Sequence, residues 1–230
     1  MLGKLLPYEK GLFFLINGSH THYLDCTMWL FSGMKIWIPL ALFIIFNLVY
    51  KKSWKRWVPA LLAIVLVFVF CDQFSSHLIK PLFARPRPTH YPYIMEHVKT
   101  LFGYKGGHYG FISSHAANSF GFAVFTAFLF RNKLYSIAIF VWATIVSYSR
   151  IYLGVHFPSD IIGGMIAGFL IGFFMYKVYR IVKRKMQPLT MAIPLSEYST
   201  TRINLVSYVI IGYIVLFSML SEFLITLLYK

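Results

Sequence analysis

The sequence predicts an all-α protein, a polytopic membrane helical bundle of about six transmembrane helices preceded by an N-terminal interfacial helix. Three observations predict it. Hydrophobic residues make up 58% of the 230 residues. Charged residues make up only 13%, against about 25% in a soluble domain, too few to cover a surface that faces water. The apolar residues also come in long runs instead of amphipathic stripes, and a run of about 20 is what a bilayer-spanning helix needs.

The elements follow in chain order. Near the start, Leu5, Leu6, Leu12, Phe13, Phe14, Leu15 and Ile16 are interrupted by Pro7, Glu9 and Lys10. That stretch is too short and too polar to span. It predicts an amphipathic helix lying at the interface and ended by Asn17-Gly18, and with no small-residue cleavage site after it, it is not expected to be a signal peptide. Apolar runs then predict spans over 29–50, 57–78, 115–130, 134–149, 158–179 and 203–229. The 115–130 and 134–149 runs are short, about 24 Å as helices, so their outer ends are expected to lie recessed in the bilayer. A Pro/Gly/His-rich stretch, 79–114, separates the second and third spans, and a polar linker with Pro188 and Pro194 precedes the sixth. The whole chain, 1–230, reads as a single membrane-embedded domain, with its polar motifs within 80–160 and an additional C-terminal transmembrane helix at 203–228.

The formal charge of +15 would in a soluble protein suggest nucleic acid. Here the basic residues cluster between apolar runs, so membrane topology accounts for them and no nucleic-acid partner is expected. Lys51, Lys52, Lys55 and Arg56, Arg131 and Lys133, and the cluster from Lys177 to Lys185 with Arg202 all fall on one side. The positive-inside rule makes that side cytoplasmic and puts both termini outside. Cys26 and Cys71 lie in or beside apolar runs and read as small hydrophobes, not a disulfide or metal pair.

Three polar clusters interrupt the apolar chain on the predicted outer side. The first holds Lys80, Arg85, Arg87 and Pro88, the second Ser113-Ser114-His115, the third Ser149-Arg150 with His156 and Asp160 downstream. Lys80, Arg87 and Arg150 supply positive charge, and a guanidinium matches a phosphate bidentately. Ser113 is placed to cap the third span and free the N–H groups of Ser114 and His115, and a helix N-terminus is an anion site. Together these groups describe a phosphoryl cradle. His156 and Asp160 are four apart, and Pro158 suits a first helical turn. Asp160 can then accept a hydrogen bond from His156, set its tautomer and leave its other nitrogen free to attack. His115, on the opposite wall, can protonate a leaving group.

These residues resemble the type 2 phosphatidic acid phosphatase superfamily, which includes the vanadium haloperoxidases. The first family motif, K-x6-R-P, matches Lys80, Arg87 and Pro88. The third, S-R-x5-H-x3-D, matches Ser149, Arg150, His156 and Asp160. The second, P-S-G-H, reads Ile112-Ser113-Ser114-His115, with Pro and Gly replaced. The resemblance implies a membrane lipid phosphatase, a hydrolase of phosphoric esters or anhydrides. In it His156 forms a phosphohistidine supported by Asp160, while His115 protonates the leaving group and then activates water. Lys80, Arg87, Ser113, Ser114 and Arg150 bind the phosphoryl oxygens, with no metal or other cofactor. The partners implied are a lipid phosphate and the bilayer; no oligomeric state is read from the sequence. The site is expected at the outer, periplasmic face of the cytoplasmic (inner) membrane. Undecaprenyl diphosphate and lipid A are the favoured substrates, phosphatidylglycerol phosphate and phosphatidic acid the alternatives.

Competing readings are weaker on the residues. A haloperoxidase of this superfamily is expected to be soluble. A transporter should carry its polar residues at midplane on broken helices, and phosphate release would exclude a purely passive lipid-phosphate binder. Asp72, inside the second span, is read as hydrogen-bonded to a neighbouring helix. Arg85, Glu96, Lys99 and Lys105 are candidates for headgroup contact, and Tyr91, Tyr93, Tyr104 and Tyr109 for an interfacial aromatic belt. His77, His90, His97 and His108 match no standard metal-ligand spacing.

Overall fold

A backbone inside a bilayer must satisfy its own hydrogen bonds, and here it does so as helix. The structure, a computed structural model, describes residues 5–186 and 198–228, and among these there is no β-strand. The helices are α1 (Leu6–Asn17), α2 (His22–Ser32), α3 (Ile38–Val49), α4 (Trp54–Asp72), α5 (Lys80–Phe83), α6 (Ser114–Phe130), α7 (Lys133–Tyr152), α8 (Pro158–Met186), α9 (Thr200–Met219) and α10 (Ser221–Leu228). A π-helical stretch, Gln73–Ile79, joins α4 to α5 into one 30-residue rod. That rod, α7, α8 and α9 are each long and apolar enough to cross a bilayer. The linker carrying Pro188 and Pro194 lies outside the described residues.

Three predicted spans differ in form. The 29–50 run is not one straight helix: α2 and α3 meet at a bend of 70°. Gly33 is extended and ends α2, and Pro39 sits in the first turn of α3, where its missing N–H costs nothing. Trp37 pins the corner by donating Nε1–H to Phe31 O (3.0 Å). The 134–149 run is not short, because α7 continues helically through Arg150 to Tyr152 and reaches 20 residues. The last run breaks at Leu220. There Ser221 Oγ donates to Ser218 O and bonds Thr27 Oγ1 of α2 (both 2.9 Å), tying the start of α10 to α2. The 115–130 run does stay short, as the 17 residues of α6. Cys26 and Cys71 are buried free thiols.

The centre of the bundle is the contact between α6 and α8. Gly164, Gly168 and Gly172 are spaced by four along α8 and face Gly121, Ala117 and Ser113 of the α6 strip. At Gly168 a Cβ would collide with the backbone of Ala117 and Gly121, and at Gly172 with that of Gly121. Without a side chain in the way, the two backbones touch, which is how helices gain packing energy where lipid supplies no hydrophobic drive. At the upper end Ser113 N–H donates to Asp160 O (3.0 Å), latching the start of α6 to the first turn of α8. The rod α4–α5 lies against both helices, with Cys71 and Val67 beside Gly121.

Candidate active site

Helix direction alone brings the three polar clusters to one end. The end of the α4–α5 rod, the start of α6, the end of α7 and the start of α8 all point the same way. The basic clusters gather at the other end, where Arg202 donates to Tyr50 O (2.9 Å) and Asn132 to Asn204 (2.8 Å).

Local sequence sets each side chain. Ser113 caps α6, accepting from Ala116 N at 3.4 Å. Pro158 opens α8 and puts Asp160 in its first turn. Asp160 Oδ2 accepts from Phe157 N–H (2.9 Å) and lies 3.4 Å from His156 Nδ1. The other imidazole nitrogen, Nε2, is 3.1 Å from Arg87 Nη1. A guanidinium can only donate, so Nε2 carries the lone pair and Nδ1 carries the proton toward Asp160. Burial, then the charges of Arg87, Arg150 and Lys80, with His115 beside them, hold His156 well below the usual histidine range. It is neutral at pH 7, with its lone pair aimed among three cations.

The cradle closes around that nitrogen. Arg87 is held from behind, donating Nη1–H to Val155 O (3.0 Å) and Nε–H to Tyr109 O (3.2 Å). Lys80 donates to Ser114 Oγ (2.5 Å). Arg150 donates to the Ser32 hydroxyl and to Tyr104 OH (3.0 Å). Half-buried His115 opens α6 on the opposite wall, facing the same three cations. Among the described residues no three His, Cys, Asp or Glu side chains gather as metal ligands. Because both Arg87 and Arg150 use forked donation, Arg87→Lys is expected to cost about 10²-fold in kcat/KM with an unchanged melting temperature. Michaelis kinetics of the purified variant check this.

Several side chains sit elsewhere than the sequence suggested. Asp72 does not bond a neighbouring helix directly: its Oδ1 accepts from Ser76 of its own rod (3.1 Å), and Ser76 bonds Ser114 of α6 (3.0 Å). Ser76 lies in the π-helical stretch that joins α4 to α5. Arg85 cannot meet a headgroup, being 3% exposed and bound to Asp160 Oδ1 (2.9 Å), Ser159 Oγ (2.6 Å) and Glu9. Tyr104 is no belt residue. Burial raises its phenol, but the charge and hydrogen bond of Arg150, with Arg87, hold it below its ordinary range. Nor does α1 simply lie at an interface, since Glu9, Phe13 and Asn17 are buried against the site end of the bundle. Ser32, Ser76 and Glu9 carried no signal in the sequence: two hydroxyls in apolar runs and one acid in a helix expected to lie at the interface.

Residues 57–184 match the sequence profile of the PAP2 superfamily. The chain belongs to the PAP2 superfamily. It is 40% identical to a lipid A 4'-phosphatase of Porphyromonas gingivalis, over 91% of this chain and 89% of that one. A lipid A 4'-phosphatase of Bacteroides thetaiotaomicron is 36% identical over 81% and 84%. The crystal structure of Aquifex aeolicus LpxE superposes with a TM-score of 0.56 at 29% identity, over 74% of this chain and 95% of that one. With its bilayer-length helices the chain is a membrane phosphatase of the PAP2 family.

Proposed function

We propose that this PAP2 protein hydrolyses a phosphate monoester on the saccharide headgroup of a lipid A-type lipid. The observation that carries the chemistry is the neutral His156, its Nε2 lone pair facing Arg87. Two relatives that share most of their length with this chain and are named for lipid A 4'-phosphatase activity support the substrate.

The reaction runs in two steps. Nε2 of His156 attacks phosphorus while the P–O bond to the sugar breaks, and His115 gives its proton to the leaving alkoxide. Lys80, Arg87 and Arg150, with the N–H groups at the start of α6, hold the three equatorial oxygens, whose charge is greatest in the transition state. Asp160 accepts from Nδ1–H as the ring becomes cationic. In the second step His115 takes a proton from water, the hydroxyl attacks phosphorus, the N–P bond breaks and phosphate leaves. The positive-inside rule puts the site end, opposite the basic clusters, at the periplasmic face of the cytoplasmic membrane. The whole chain acts as one membrane-embedded catalytic domain.

Phosphate release by the purified protein in detergent tests this across lipid A, undecaprenyl diphosphate, phosphatidylglycerol phosphate and phosphatidic acid. The expected result is release from lipid A, undiminished by a chelator and blocked by vanadate. Release from a different lipid alone would replace the substrate, and loss of activity in chelator would remove the metal-free mechanism.

A further inference from the structure

The N-terminal helix reaches the catalytic pair through a buried charge. Glu9, Phe13 and Asn17 are spaced by four and share one face of α1, and all three are buried. Asn17 donates to Tyr152 O (2.8 Å) and Lys99 O (2.9 Å) and accepts from Lys99 N–H (3.0 Å), fixing one end of the helix. Phe13 packs on Phe157, ring centroids 5.4 Å apart. Glu9 then sits over the start of α8. One carboxylate oxygen accepts from Arg85, the other from Ser159 N–H (3.0 Å). Arg85, stacked on the Phe157 ring at 4.3 Å, gives its other Nη to Asp160 Oδ1 (2.9 Å).

A hydrophobic residue would seat a helix at less cost than a desolvated carboxylate, so the charge at Glu9 calls for its own account. We propose that Glu9 is a positioning residue for His156, acting through Arg85 and Asp160; this rests on the reading of His156 as nucleophile. Attack by Nε2 places positive charge on the imidazole, and Asp160 stabilises it. Arg85 holds Asp160 in place but, bonded to it directly, opposes that stabilisation. Glu9 supplies the compensating negative charge. The Glu9–Arg85 pair is neutral as a unit, so Arg85 orients Asp160 without cancelling its field at the nucleophile. Glu9 lies outside the 57–184 segment of the family match in sequence yet bonds Arg85 and Ser159 within it, so on this proposal α1 is part of the catalytic apparatus and not only its cover.

The test compares Glu9→Gln with wild type in the full-length protein. Glutamine is isosteric and its amide oxygen still accepts from Ser159 N–H, so the packing of α1 is kept, while the charge and the oxygen that accepts from Arg85 are lost together. The expected result is a kcat lowered roughly tenfold or more with KM within about twofold. Vanadate, which takes the five-coordinate geometry at Nε2, should bind more weakly by a similar factor, while inorganic phosphate binds as before. Wild-type kcat in Glu9→Gln would overturn the proposal, and so would an equal weakening of vanadate and phosphate binding, the signature of a generally distorted cradle. Direct vanadate titration needs no turnover. Failure of the wild type to release phosphate would therefore fall on the proposed function, while the vanadate ratio between the two proteins still decides the role of Glu9.

Discussion

His156→Ala is expected to lower phosphate release by about 10³-fold or more and to leave a folded protein. Its described neighbours offer no substitute nucleophile: Asp160 is turned to Phe157 N–H and Arg85, and Arg87 can only donate. The fold should survive because neither neighbour is left bare. Asp160 keeps Arg85, and Arg87 keeps Val155 O and Tyr109 O. Phosphate release, a thermal melt and an acid-quenched search for an acid-labile phosphoenzyme check this together; wild-type rates from the variant would remove the assignment. The pH dependence follows from the same group. Its folded pKa is depressed well below the histidine range, so the neutral nucleophile is fully present at pH 7. The acid limb of kcat/KM is then expected to follow protonation of the substrate phosphate, near pH 6. The sign for stability is the same. The contribution from keeping His156 neutral is complete above its unfolded pKa of about 6.5 and is lost as pH falls, so wild type should gain more acid sensitivity than His156→Ala.

What could be read from sequence divides along a physical line. Lys80, Arg87, Ser113, His115, Arg150, His156 and Asp160 were legible because they fall in or beside the three polar clusters that interrupt the apolar chain, and charge at such a place needs a reason. Capping added detail, since Ser113 and Pro158 announce helix starts locally, without tertiary information. The rest depends on pairs distant in sequence. Glu9 and Arg85 are 76 residues apart, and Arg150 and Ser32 are 118 apart, so neither member marks its partner. The bend at Gly33 was hidden because hydropathy averages over a corner that keeps its apolar content. That corner delivers Ser32 to Arg150, so a feature invisible as hydropathy completes the cradle.

Gly168→Val is expected to have the largest effect on stability, about 3 kcal/mol or more, enough to leave little folded protein. The clash is with backbone. A Cβ here would lie 2.9 Å from Gly121 N and 3.1 Å from Ala117 C, and nearer still to Ala117 O. No rotamer change relieves it, so α8 must move away from α6. Gly168→Ala carries the same Cβ and should show a smaller loss in the same direction. Gly11→Ala and Gly212→Ala are the controls: a Cβ at either meets nothing within 4 Å, and alanine favours the helix by up to ~1 kcal/mol. Melting in detergent and the monodisperse fraction on size exclusion read the result, and a wild-type melting temperature in Gly168→Val would reject the close contact. Function should fall with the fold in the alanine variant. The Ser113 N–H to Asp160 O bond joins the same two helices, and the cradle is divided between them, His115 and Ser114 on α6 and Asp160 on α8. Separating the helices by a fraction of an ångström therefore moves the general acid away from the nucleophile, so the alanine variant is expected to lose kcat by a larger factor than its melting temperature alone would imply.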